Sequence, residues 1–151
     1  MLAARHNVNR EFLIEMHDQL VFDRGKGVHW TLQNHVLPRL GCLVGMWNCK
    51  RCGVLYGGPS DWRVRPDSCI CCQEAKQNED DTSFEYVEQQ FRDETYRVTG
   101  HPDGFLVLPS MPGHGVLEGK SASDRKFQDV QDVPDFGHVI QLQAYLWLTG
   151  L

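Results

Sequence analysis

Residues 100–123 read GHPDGFLVLPSMPGHGVLEGKSAS. Two short apolar runs, GFLVLP and GVLEGK, flank the turn-rich segment between them, the pattern of an antiparallel hairpin. Asp103 opens the first run, and Glu118 and Lys120 close the second. On adjacent antiparallel strands such positions bring the two carboxylates side by side. Two like charges in that place repel unless a cation lies between them, and Mg²⁺ or Mn²⁺, hard ions that prefer oxygen, fit there. The Gly119 carbonyl is a further oxygen ligand. Lys120, two residues from Glu118, projects to the same face, where an ammonium orients water or balances charge on a phosphate. A surface hairpin with polar tips matches D…E-x-K as well, so the neighbouring residues decide the reading.

Outward from the hairpin, FEYVEQQF and TYRVTG precede it as short alternating runs, and the four runs together predict an antiparallel meander. The polar loop KFQDVQDVPD follows. GHVIQLQAYLWLTGL then places Val139, Leu142, Tyr145 and Leu146 at helical spacing. At the other end, Phe12, Leu13, Met16 and Leu20 behind Asn9 predict a helix over about 10–22. A second helix is predicted over 27–37, stopped by Pro38. Residues 41–73 are rich in Cys, Gly and Pro with little periodicity, which suits a module organised by metal. QNEDDT reads as an exposed acidic linker. The expected organisation is one domain over 1–151 with an inserted module at 42–75.

Within that module, Cys49 and Cys52 form one C-x-x-C and Cys69 and Cys72 another, with sixteen residues between the pairs. This is the spacing of a structural zinc site, in which two knuckles aim four thiolates at one point. Gly53 allows the tight turn that such a knuckle needs. An iron–sulfur cluster is the competing occupant, because four thiolates also suit it. Cys42 and Cys71 are left over; Cys42 reads as a small buried hydrophobe, and Cys71 as an alternate ligand.

The formal net charge is −5, which at first counts against a nucleic-acid partner. Its distribution softens that objection. Residues 1–76 hold 10 Lys+Arg against 7 Asp+Glu, whereas residues 77–151 hold 5 against 13. An acidic half suits carboxylates that face cations, which in turn face phosphate. No apolar run approaches the roughly 18 residues of a membrane span, so no membrane partner is expected. The opening MLAARHNVNREF shows no secretory pattern, and a reducing cytoplasmic compartment is the expectation.

Further polar residues fall in a fixed order around the hairpin: His29 in Gly25–His29, Glu88 in VEQQF, and Gln141 and Tyr145 one helical turn apart. Here the chain resembles the PD-(D/E)XK nuclease superfamily, in its RecB-like and phage exonuclease branch. The matching motifs are G-x-x-x-H (Gly25–His29), an acid before the first core strand pair (Glu88), G-x-x-D (Gly100–Asp103), E-x-K (Glu118–Lys120) and Q-x-x-x-Y (Gln141–Tyr145). The paired cysteines look most like phage-encoded members with a zinc-ribbon insertion. The iron–sulfur members place three cysteines after Q-x-x-x-Y, and this sequence has none there.

The resemblance implies an α/β (α+β), restriction-endonuclease-like fold, a mixed central sheet flanked by helices. It implies Mg²⁺ or Mn²⁺ among His29, Asp103, Glu118 and the Gly119 carbonyl, with Zn²⁺ in the ribbon. Lys120 would assist water attack, Gln141 and Tyr145 would support it or the DNA backbone, and Glu88 would assist, with Glu85 and Glu94 as alternatives. DNA is the implied partner and the host-cell cytoplasm the place, if phage-encoded. Ser121, Ser123, Arg125 and Lys126 are expected near a terminal phosphate or in a solvated loop. The family core ordinarily continues past the last helix into another strand. A sequence ending in the apolar LWLTGL is therefore either a minimal or truncated member, or covered by another chain, a second copy or a replication or recombination protein.

A reading of a different class makes the core an inactive scaffold and the ribbon a binding module. Lys50, Arg51, Arg63 and Arg65, interleaved with Trp47 and Trp62, would then form the contact surface.

Overall fold

The computed structural model describes residues 16–58, 61–73, 83–120 and 134–151. These form a mixed α/β arrangement of two helical segments, several small antiparallel sheets and a cysteine cluster.

The first helical segment begins as α1 (Met16–Thr31), continues through a π turn at Leu32–Val36 and ends in the short α2 (Leu37–Arg39). Where two helices were expected, the backbone runs unbroken through Gly25 and Gly27. Each glycine costs a helix about 1 kcal/mol against alanine, which weakens it without ending it. Pro38 does not stop the helix either. It lies in the first turn of α2, where a missing N–H is tolerated, and the chain leaves at Leu40–Gly41. Residues 10–15 of the other predicted helix lie outside the described residues.

Among the described residues eight strands follow: β1 (Leu43–Val44), β2 (Met46–Cys49), β3 (Leu55–Tyr56), β4 (Phe84–Val87), β5 (Phe91–Asp93), β6 (Val98–Gly100), β7 (Gly104–Leu106) and β8 (Gly115–Leu117). They pair as β1-β7-β8, β3-β2-β4 and β5-β6. The expected four-run meander does not form: of its pairings only the β7–β8 hairpin is present, β5–β6 stands as a separate two-stranded sheet, β7 takes β1 as its other neighbour, and β4 joins neither. It pairs instead with β2, Trp47 against Tyr86 and Cys49 against Phe84. Alternation explains the choice, because the complementary patterns bury Trp47, Cys49, Phe84 and Tyr86 together. Two strands of the 42–75 segment therefore pair outside it: β1 with β7, and β2 with β4.

The core gathers Leu43, Trp47, Tyr56, Phe84 and Tyr86 with Cys49 and Cys69. Phe105 is fully buried beside Trp62 and Phe91, in edge-on ring contacts at 4.0 and 5.6 Å. The last helix, α3 (Phe136–Thr149), begins on the Asp135 carboxylate, which accepts from the Gly137 amide. It buries Tyr145 and leaves Phe136, Ile140 and Trp147 exposed. No helix among the described residues is long and apolar enough to cross a membrane.

Candidate metal centre and active site

The cysteine centre is assembled by local turns and one strand. Cys49 ends β2, and the chain turns back through Gly53, whose left-handed φ of 74° suits glycine and whose amide donates to Cys49 O at 2.7 Å. Cys69 and Cys72 lie on a second turn, closed by Gln73 N to Cys69 O. Cys49 and Cys72 Sγ are 3.7 Å apart, Cys52 and Cys69 Sγ 3.5 Å, and all four lie within 4.8 Å of one another. Four sulfurs at about 2.3 Å from a tetrahedral zinc are about 3.8 Å from each other, so the cluster is compatible with structural zinc.

Tyr56 supports the centre: its hydroxyl donates to Cys69 Sγ at 3.1 Å and accepts from Ile70 N at 2.8 Å. That hydroxyl leads the forces that pull the Cys69 thiol down to about 6, burial opposing. The Cys52 thiol is drawn down by the Val54 backbone, but burial and the three other sulfurs carry it up to about 12. Protons leave such a group one at a time unless a cation collects the thiolates. Cys71 is exposed and Cys42 partly buried, the latter with its thiol 3.6 Å from Leu37 O.

The second site draws residues between His29 and Tyr145 together from α1, the β7–β8 hairpin and α3, with Glu88 following β4. The pairing Gly104 with Leu117, continued one residue, sets Asp103 across from Glu118. Asp103 Oδ2 accepts the Gly119 amide at 2.6 Å, and Oδ1 lies 3.5 Å from His29 Nδ1. The glycine fits a tight place, since a Cβ there would stand 3.1 Å from His29 Nε2 and 3.4 Å from Asp103 Oδ2. The Glu118 side chain is 6% exposed; its Oε1 accepts from Lys120 Nζ and, at 2.8 Å, from Gln141 Nε2. Gln141 Nε2 also donates to Tyr145 OH at 2.7 Å. Glu118 Oε2 is buried with no hydrogen-bond partner among the described residues. Burial foremost, and then the charges of Glu118 and Glu88, raise the Asp103 carboxyl above its ordinary value, against the Gly119 amide and His29.

His29, Asp103, Glu118, Gly119, Lys120, Gln141 and Tyr145 thus form one connected group. Their ligand atoms stand wider than those of the cysteines, the His/Cys/Asp/Glu group that closes to within 4.8 Å among the described residues. Glu88 joins through Gln33, whose Nε2 donates to Glu88 Oε1 at 2.7 Å and to Asp103 O at 2.6 Å. The two alternatives lie elsewhere: Glu85 accepts from Trp30 Nε1, and Glu94 pairs with Arg92. Ser121, Ser123, Arg125 and Lys126 lie outside the described residues.

The contact surface drawn for the ribbon does not form as expected. Trp47 is fully buried, Arg65 is 8% exposed with Nη1 donating to Asn34 O, and Arg63 pairs with Asp61. Lys50 stands 5.8 Å over the Trp30 ring, and Arg51 remains exposed. The first residues of the π turn escaped the sequence reading. Gln33 and Asn34 are both buried, and Asn34 Oδ1 accepts the Tyr86 amide at 2.8 Å. The signal for Gln33 was its place one helical turn beyond His29. Compared with family models, curated proteins and solved structures, the chain matches none of them.

Proposed function

We propose that this chain is a divalent-metal-dependent DNA nuclease of the PD-(D/E)XK superfamily, in the RecB-like and phage exonuclease branch. It hydrolyses phosphodiester bonds, in exonucleolytic fashion, for recombination, replication or repair. The observation that carries the reading is Glu118: a carboxylate 6% exposed, one oxygen held by Lys120 and Gln141 and the other buried without a partner. An orphaned anionic oxygen in a low-dielectric place calls for a cation. Asp103 opposite, its proton affinity raised by burial and acidic neighbours, calls for the same.

Asp103, Glu118, His29 and the Gly119 carbonyl would hold Mg²⁺ or Mn²⁺, a set of hard oxygens with one imidazole. When bound, such an ion neutralises phosphate charge and makes water a better nucleophile. The chain's own groups do the rest. Gln141 fixes Glu118 while tied to Tyr145, so the carboxylate keeps one orientation. Lys120 shares the Glu118 oxygen from a side chain that is 41% exposed, so its remaining N–H groups would orient water and balance charge developing on the phosphate. The four cysteines would hold a structural zinc that supports β2 and, through it, β4.

The test is incubation of end-labelled linear duplex and single-stranded DNA with the protein and Mg²⁺ or Mn²⁺, beside Asp103→Ala and Lys120→Ala. Label should be lost only with metal and only with the parent. Near-parental turnover by Asp103→Ala refutes the site.

A further inference from the structure

Gln33 holds an unusual place. It is 6% exposed, in a π turn where Leu37 N–H reaches back five residues to Leu32 O, a distortion frequent at functional sites. The turn lets two consecutive side chains face the sheets: Asn34 takes the Tyr86 amide on β4, and Gln33 reaches across to Glu88 and Asp103. The two N–H groups of one amide are thereby spent on two acceptors from different parts of the chain, the Glu88 carboxylate and the Asp103 carbonyl.

We infer that Gln33 is a positioning residue, which holds the Glu88 carboxylate beside Asp103 and so raises the site's affinity for a divalent cation. The inference rests on the nuclease reading for its choice of ion. An amide suits the task because it donates without adding charge. A lysine in its place would neutralise the carboxylate it holds, and a glutamate would repel it. Glu88 itself is exposed, so without the Gln33 bond nothing described would keep its side chain turned inward. Groups that orient metal ligands from outside typically change metal affinity by about 10–100-fold when removed.

The experiment is Mn²⁺ titration of the DNA-free, zinc-loaded chain, followed by the electron paramagnetic resonance of free Mn²⁺. The proteins are the parent, Gln33→Met, Glu88→Ala and the double variant, with zinc content and circular dichroism as folding controls. Gln33→Met keeps the volume and loses the donors, and Glu88→Ala makes the same break from an exposed position. Each single variant should bind Mn²⁺ about tenfold more weakly, and the double variant should be no worse than either. Parental affinity in Gln33→Met, losses that multiply in the double variant, or a parent that binds no Mn²⁺ would overturn the inference. Cleavage is scored separately. A parent that binds Mn²⁺ through Gln33 and Glu88 but cuts no DNA would overturn the nuclease reading alone, and cleavage with Mn²⁺ affinity indifferent to Gln33 would overturn this one alone.

Discussion

Gly100→Ala tests how the last helix is held over the site. Gly100 ends β6 and is buried. A Cβ there would stand 2.7 and 2.8 Å from ring carbons of Tyr145 and 2.9 Å from a methyl of Leu148. Carbon atoms pack at about 3.5–4.0 Å, so helix α3 must retreat by about 1 Å or the strand must bend. Tyr145 cannot swing aside, because its ring is buried and its hydroxyl is held by Gln141. Overpacking of this kind costs about 1–3 kcal/mol; the entropy that alanine removes from the unfolded chain returns about 0.4–1 kcal/mol. The clash prevails, and a net loss near 1–2 kcal/mol should lower the melting temperature by about 2–8 °C. The same 1 Å carries Gln141 away from Glu118, and displacement on that scale lowers turnover about 100-fold. Urea unfolding and initial cleavage rates measure the two effects, with Thr99→Ala, at the exposed neighbouring position, as the control. Unchanged stability in Gly100→Ala would refute the close seating of α3 on β6; lost stability with unchanged cleavage would refute the role given to Gln141 and Tyr145.

Asp103→Asn should reverse a pH effect. Because the folded protein holds the Asp103 proton more tightly than the unfolded chain does, the metal-free parent loses stability as pH rises from about 3.8 through the raised value. The asparagine still accepts from Gly119 and removes that slope, so without added divalent cation it should melt higher than the parent at pH 7 and equally at pH 3; parallel melting curves across that range would contradict the burial of this carboxyl. Tyr56→Phe should leave the Ile70 amide and Cys69 sulfur without their partner, costing about 1–3 kcal/mol and weakening zinc about tenfold. Competition with a chromophoric chelator measures the zinc term, and parental retention of zinc would remove Tyr56 from the centre.

The cysteine centre and the Asp103–Glu118 cluster were legible in the sequence because each obeys a local rule. Paired C-x-x-C knuckles carry their geometry in their spacing, and the hairpin register follows from the lengths of GFLVLP and GVLEGK around their turn. Gln141 and Tyr145 were visible because a helix repeats each turn. What escaped was set by packing between distant parts. The gap left between the two expected helices, which holds Gly25, is absorbed by one continuous helix. The π turn has no composition of its own, so the paired burial of Gln33 and Asn34 could not be read. Trp47 looked like a contact residue beside Lys50 and Arg51, yet alternation along β2 turned it inward. The preference of β4 for β2 over β5 depended on which partner could bury Phe84 and Tyr86, a question of volume rather than of pattern.

The bond from Gln141 to Glu118 also has a consequence in time. The hairpin carboxylates and His29 are all synthesised before α3, and loop closure between such distant segments is among the slower steps of folding. A nascent chain lacking α3 therefore has its acidic residues and Lys120 in hand but lacks the Gln141 amide that joins Lys120 on the Glu118 oxygen. On the proposed nuclease reading, the oriented Glu118 carboxylate therefore comes only with the docking of α3, after the cysteine turns have had the opportunity to close.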